Sequence, residues 1–219
     1  MPAVLFGSAS TLVDTSELQR QAFNQAFAEH GLDWDWDRDS YQRMLRTSGG
    51  VDRIAAYAGS VGSSVDAPSV HATKSRIFQE SLAGSSPQLR PGVAQVISEA
   101  RENGYRVGFV ATTSPANVAA LFTALRPNLR RQDLDVVIDG SAAVPGKDEA
   151  YRLAVRQLAE QPTACVAVED NVPGVEAAVA AGLTCVAFPN ANTTGHDFPA
   201  AGPPVDHLDF ADLRRLVQE

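Results

Sequence analysis

Residues Ala3–Thr15 read AVLFGSASTLVDT, and the rest of the chain is organised around them. Ala3 to Phe6 is an apolar run too short for a helix, stopped by a turn rich in Gly and Ser. That pattern predicts a buried parallel strand that hands over to a loop. Leu12-Val13-Asp14-Thr15 then leads towards an amphipathic segment. The loop itself, Gly7-Ser8-Ala9-Ser10, carries two hydroxyls and no ionisable side chain.

Beyond Thr15 the apolar period changes from two to that of a helix. Ser16-x-x-Gln19 predicts a capping box, with Leu18, Ala22, Phe23, Ala26 and Phe27 on one apolar face and His30-Gly31 as the stop. Further helices are predicted over Arg38–Arg46, Val51–Ala58 and about Val65–Leu82, the last with Val70, Ile77, Phe78 and Leu82 inward. No strand pattern interrupts 16–84, and Ala83-Gly84-Ser85-Ser86-Pro87 reads as a return linker. From Leu89 onward helix and strand alternate. Helices are predicted at Gly92–Asn103, after Ser114-Pro115, at Lys147–Ala159, Val172–Ala181 and Asp209–Gln218; strands at Arg106–Ala111, Leu134–Ile138, Ala164–Val168 and Thr184–Phe188. The fold class is therefore α/β: a doubly wound parallel-sheet core (1–15 and 87–219) interrupted by an all-helical unit (16–86). Such a core binds ligands at the carboxyl ends of its strands.

Composition narrows the function classes. A formal net charge of -8 argues against non-specific nucleic-acid binding. No apolar run reaches membrane-spanning length, and the first residues lack the charged stretch followed by a long hydrophobic one that a secretory signal would show. Cys165 and Cys185 lie inside apolar strand-like runs and read as buried, reduced thiols. The expectation is a cytoplasmic, soluble protein.

Each suspicious loop follows a strand. Thr112-Thr113-Ser114 precedes a helix, where hydroxyls and orphan N–H groups suit a phosphate; the same residues serve equally as helix caps. Lys147 opens a helix, placed either to neutralise phosphate or simply to sit at the surface. Glu169-Asp170 ends an apolar strand, and acidic residues at a helix start are also favoured by the helix dipole alone.

Taken together, these motifs resemble the haloacid dehalogenase (HAD) superfamily, whose first strand ends in Asp-x-Asp-Gly-Thr-Leu-Val. Thr11-Leu12-Val13-Asp14-Thr15 matches that frame, and Val168-Glu169-Asp170-Asn171 through Gly174-x-Glu176-Ala177-Ala178 to Ala181-Gly182 matches motif four. Arg20-x-Ala22-Phe23-Asn24, Gly31-Leu32-Asp33-Trp34, Tyr41 with Ser48-Gly49-Gly50-x-x-Arg53-Ile54, Arg90-Pro91-Gly92-Val93, Ala111-Thr112-Thr113-Ser114-x-x-Asn117-Val118 and Val205-Asp206-His207-Leu208 extend it. They resemble the xylulose bisphosphate phosphatase branch of the β-phosphoglucomutase-like subfamily, in which a helical cap follows motif one. The likeness covers most of the chain.

Gly7 stands where the family has its nucleophilic Asp, Ala9 where it has the acid/base Asp, and Ser10 where it has Gly. In working members the first Asp forms an aspartyl-phosphate and the second moves the proton. Mg²⁺ sits on the first Asp, the backbone carbonyl of the second and the motif-four Asp. The resemblance thus leaves the Ala9 carbonyl and Asp170, with Glu169 as a weaker third, and implies weak or absent Mg²⁺ binding. Thr112, Thr113, Ser114 and Lys147 would hold phosphate. Glu17, Tyr41, Gly49, Gly50, Arg53 and Lys74 fall at substrate-facing or supporting cap positions, whereas Val51 and Gln19 replace a Lys and a His. The expectation is a catalytically inactive relative of the sugar-phosphate phosphatases that retains a site for a phosphorylated sugar or inorganic phosphate. An active hydrolase with a non-standard nucleophile and a protein-interaction scaffold are the two alternatives.

Overall fold

Every residue of β1 (Ala3–Phe6) is buried, and its side chains divide between two cores. Val4 and Phe6 enter one and Ala3 and Leu5 the other, as a two-residue period requires. A strand apolar on both faces has to be covered on both, which makes it central. The computed structural model describes residues 1–47 and 49–217. In it β1 pairs in parallel with β2 (Arg106–Val110) on one side and β4 (Cys165–Glu169) on the other. With β3 (Val136–Ile138) and β5 (Thr184–Ala187), the sheet order is β3-β2-β1-β4-β5, all parallel.

Phe6 lies level with both Phe109 and Val168. The loops that leave β1, β2 and β4 therefore open side by side. Strand order reverses at β1, so the crevice of a doubly wound sheet falls there.

Five helices separate β1 from the core's next helix: α1 (Ala9–Leu12), α2 (Ser16–Glu29), α3 (Arg38–Met44), α4 (Gly50–Ser60) and α5 (Ala67–Ala83). Then follow α6 (Val93–Glu102), α7 (Pro115–Ala124), α8 (Lys147–Leu158), α9 (Val172–Ala180) and α10 (Phe210–Arg215). Apolar residues of α6, α7 and α10 join the Val4/Phe6 core, while those of α8 and α9 join the Ala3/Leu5 core. The sheet is covered on both faces.

Isolated helices as short as α3 and α4 are marginal in water. Here they close around Trp36, which is buried with ring centroids 4.8 Å from Phe23 and 4.7 Å from Phe27. Tyr41 and Tyr57 complete the cluster. Each such aromatic contact adds about 0.5–1.5 kcal/mol beyond area burial.

Two local expectations change. Residues 9–12 form a helical turn rather than a continuous loop, with Ser10 in ordinary helical backbone. The capping box at Ser16 does not form, because Asp14 accepts both the Ser16 hydroxyl (2.5 Å) and its N–H (3.0 Å). A carboxylate is the stronger acceptor, and it leaves Gln19 free to bond elsewhere. Ser114 does cap α7. Ser48 and the Gln218 end of the last helix lie outside the described residues. Among the described residues no helix is long and apolar enough to cross a membrane.

Candidate functional site

At the carboxyl ends of β1 and β2, beneath α2 and α5, lies a cleft of about 190 Å³. Gly7, Ser8, Ala9 and Ser10 form one wall, and Thr112, Thr113 and Asn117 another. Lys147 and Asp170 contribute charge, while Gln19 and Phe78 overhang from the helical insertion.

Position 7 governs the wall. The Gly7 N–H donates to Val168 O at 2.9 Å, which spends that donor on the sheet rather than on an anion. A Cβ built on Gly7 would lie 2.0 Å from Glu169 Oε1 and 2.2 Å from the Tyr151 hydroxyl. That volume is taken. Glu169 has no exposed surface, forms an ion pair with Lys147 Nζ at 2.6 Å and accepts from the Tyr151 hydroxyl at 2.7 Å. Behind it, a Cβ at Gly174 would lie 2.2 Å from Oε2, so the carboxylate is wedged between two glycines. Burial raises the pKa of Glu169, against the opposing pull of Lys147. Burial likewise holds the Tyr151 hydroxyl well above its ordinary range, with the Glu169 charge adding to it, so Tyr151 stays a donor.

Asp170 is held differently. Its Oδ1 accepts from Ser8 Oγ (2.7 Å) and Asn171 Nδ2 (2.8 Å), and its Oδ2 from Asn190 Nδ2 (2.5 Å). The Ala9 carbonyl accepts from Val13 N at 3.0 Å, closing the turn of α1. All three oxygen sources implied for Mg²⁺ thus already have protein partners. Arg90 fastens this wall from below, donating to the carbonyls of Ser10 (2.8 Å), Phe188 (2.8 Å) and Pro189 (2.6 Å).

On the opposite wall Thr113 Oγ1 accepts from Asn117 Nδ2 at 2.8 Å. Ser114 points away: it is exposed and accepts from Asn117 N at 3.3 Å, so its oxygen serves the helix and not the cleft. Of the predicted site residues, the cleft gathers Gly7, Ala9, Thr112, Thr113, Lys147 and Asp170. Glu169 sits one layer behind.

The insertion's residues are engaged in support. Glu17 is bonded to Arg20 (2.5 Å), which lowers its pKa, and lies 3.6 Å from Arg38. Tyr41 is buried in the aromatic cluster, its pKa pushed up by burial to about 12, and Arg53 lies 5.9 Å over its ring. Arg53 also donates to the carbonyls of Met44 (3.2 Å) and Thr47 (2.8 Å). Gly49 caps α4, and Gly50 abuts His71. Lys74 is buried over the rings of Phe23 (4.7 Å) and Phe78 (5.3 Å) and donates to Gln19 Oε1. Burial, then the Arg53 charge, lowers its pKa to about 7. It stands directly behind two cleft residues.

Sequence reasoning missed Tyr151, Ser8 and Asn190 as partners of the acidic pair. Tyr151 had a signal, since its four-residue spacing from Lys147 puts both side chains over one spot on a helix. Asn190 lies in a stretch with no period and gave none.

A family model described as haloacid dehalogenase-like hydrolase matches residues 1–182. The protein CbbY of Cereibacter sphaeroides is 38% identical over 220 residues, covering 98% of this chain and 95% of that one. A crystal structure of CbbY from Rhodobacter sphaeroides in complex with phosphate superimposes with a TM-score of 0.83 at 37% identity, covering 97% and 96% of the two chains. A mutant of that protein in complex with xylulose-(1,5)bisphosphate gives 0.85 at 36% identity over 100% of both.

Proposed function

This chain belongs to the haloacid dehalogenase-like hydrolases and is like their sugar-phosphate phosphatases, and from that premise we propose that it binds a phosphorylated sugar or inorganic phosphate without hydrolysing it. One observation carries the reading: the place of a nucleophile at the end of β1 is filled by a buried, ion-paired Glu169 instead of a side chain at position 7. Glu169 is shut off from the cleft and cannot attack a phosphorus atom there. Ala9 offers no proton. Losing a catalytic nucleophile in other enzymes costs on the order of 10⁶ in rate.

The donor set also argues against a resident Mg²⁺. Mg²⁺ is held by one or two carboxylates with other oxygens, whereas loop one supplies none, Glu169 is buried on Lys147 and Tyr151, and Asp170 alone borders the cleft. The site has lost two carboxylates relative to the family pattern, and with them the negative charge that a divalent cation would balance. An anion would meet the hydroxyls of Thr112 and Thr113, with Lys147 shared between it and Glu169; the Ser8 proton is taken by Asp170. Residues 16–86 act in this reading as the cap, supported by the overhang of Gln19 and Phe78. Glu17, Tyr41, Gly49, Gly50, Arg53 and Lys74 shape it from behind. The free cysteines fit a reducing, cytoplasmic setting.

Ser8 supports a second reading. Its hydroxyl donates to Asp170 at 2.7 Å, the spacing of a nucleophile and its base. Asp170 is also held by Asn171 and Asn190, as part of a fixed hydrogen-bonded wall, which favours the first reading.

A thermal-shift and calorimetry panel of inorganic phosphate and sugar phosphates, each with Mg²⁺ and with EDTA, tests the proposal. Ligand at about 100 times its dissociation constant should stabilise by about 2.7 kcal/mol, equally in both buffers. Turnover lost on Ser8→Ala would favour the second reading; silence towards every phosphate would leave a protein-interaction scaffold.

A further inference from the structure

Thr113 is wired to the helical insertion through a single side chain. Asn117, in the first turn of α7 and only 6% exposed, donates from Nδ2 to Thr113 Oγ1 at 2.8 Å. Its Oδ1 accepts from Gln79 Nε2, also at 2.8 Å, and Gln79 belongs to α5 of the insertion. An amide has one donor end and one acceptor end. Gln79 presents its NH₂ group, so the Asn117 oxygen faces it and the Asn117 nitrogen faces Thr113. With one lone pair of Thr113 filled by that N–H, the threonine's own proton is left to donate to something other than Asn117, and the cleft is where it opens.

We infer that Gln79, Asn117 and Thr113 form a relay that makes Thr113 a donor to a bound phosphate group when the insertion is seated on α7, coupling anion binding to closure of the cleft. Were Gln79 withdrawn, the Asn117 amide would lose the partner that fixes its direction. A turned amide offers Thr113 an acceptor, and the threonine proton leaves the cleft. The coupling is reciprocal by linkage, so an anion on Thr113 holds the insertion down by the same factor. The relay rests on the anion-binding reading given above, and its ligand is the phosphate moiety of that site.

The test is a double-mutant cycle on inorganic phosphate affinity, read by calorimetry, with Gln79→Leu and Thr113→Val singly and together. A spin-label pair placed on exposed positions of α4 and α9 reports the insertion–core distance in parallel. Gln79 carries no charge and is not a cleft residue, so the coupling between the two substitutions, and not the loss in Gln79→Leu alone, reports the path through Asn117. Wild type should bind phosphate, and each single variant should bind about 2- to 10-fold more weakly, the range one net hydrogen bond supplies. The double variant should be no weaker than Thr113→Val alone. Phosphate should narrow the distance distribution in wild type and leave it broad in Gln79→Leu. Gln79→Ala serves in the same way should the leucine variant not fold. Unchanged affinity in the Gln79 variants, or additive losses in the double variant, would overturn the relay while leaving phosphate binding intact. Absence of phosphate binding by wild type would overturn both.

Discussion

Gly7 and Glu169 share one volume: the Cβ that any other residue at position 7 would carry lies 2.0 Å from Glu169 Oε1. The two positions are far apart in the sequence and adjacent in the sheet, because Phe6 pairs with Val168. Gly7→Ala should therefore destabilise the protein by about 1–3 kcal/mol, the usual cost of overpacking a well-filled core. In a Glu169→Ala background the same change should cost less, the Tyr151 hydroxyl being the clash that remains. Lys147 is 19% exposed and can turn to water there. Denaturant unfolding of the four proteins gives the coupling energy. Simple additivity would mean that the two residues do not compete for space.

A side chain that must be neutral to be comfortable leaves a mark on stability. Lys74 has a folded-state pKa of about 7 against 10.5 for an ordinary lysine, through burial first and the Arg53 charge second. Between those values the unfolded chain binds more protons than the folded one, so the Lys74 contribution makes stability rise with pH. The penalty is complete below pH 7 and gone above 10.5, with a span on the order of 5 kcal/mol. Lys74→Met should be more stable than wild type at pH 6, with the advantage shrinking towards pH 10. Equal pH dependence in the two proteins would show that Lys74 titrates as a solvated amine.

Restoring the missing carboxylates asks whether the loss is confined to loop one. Gly7→Asp alone has to evict Glu169 and should give neither Mg²⁺ binding nor turnover. Gly7→Asp with Ala9→Asp supplies an attacking group and a proton donor together, and residues that act as one unit are strongly non-additive. Adding Ser8→Ala strips a donor from Asp170 and should tighten Mg²⁺ further. Slow phosphate release is expected, below about 1 s⁻¹ at the bottom of the ordinary enzyme range, since Val51 still lacks cationic reach. Calorimetry with Mg²⁺ and a phosphate-release assay follow the series. Full activity from Gly7→Asp alone would contradict the account of Glu169.

The strand ends were legible because a parallel strand leaves its own mark: AVLF, VGFV and CVAV are apolar without alternation, and each is followed by a loop with polar residues. Loop order then put Thr112, Thr113, Lys147 and Asp170 at one edge before any contact was known. What stayed hidden was direction. Glu169 and Asp170 are neighbours, yet one is pinned behind the wall by Lys147 and Tyr151 and the other borders the cleft beside Ser8. No period distinguishes them. Gly7 reads in the sequence as a deleted carboxylate, but its second meaning, room for Glu169, depends on a residue from another strand. Ser114 misled in the opposite way: the cap it makes and the phosphate ligand it resembles ask for the same residue type at the same position.

The central claim is binding without chemistry and without metal. Phosphorus NMR of xylulose bisphosphate mixed with stoichiometric protein reads all three parts at once, in Mg²⁺ and in EDTA. The account predicts that the ligand's phosphorus resonances shift or broaden to the same extent in both buffers, with no inorganic phosphate signal growing in over hours. Growth of that signal in Mg²⁺ alone, abolished by Asp170→Ala, would contradict it.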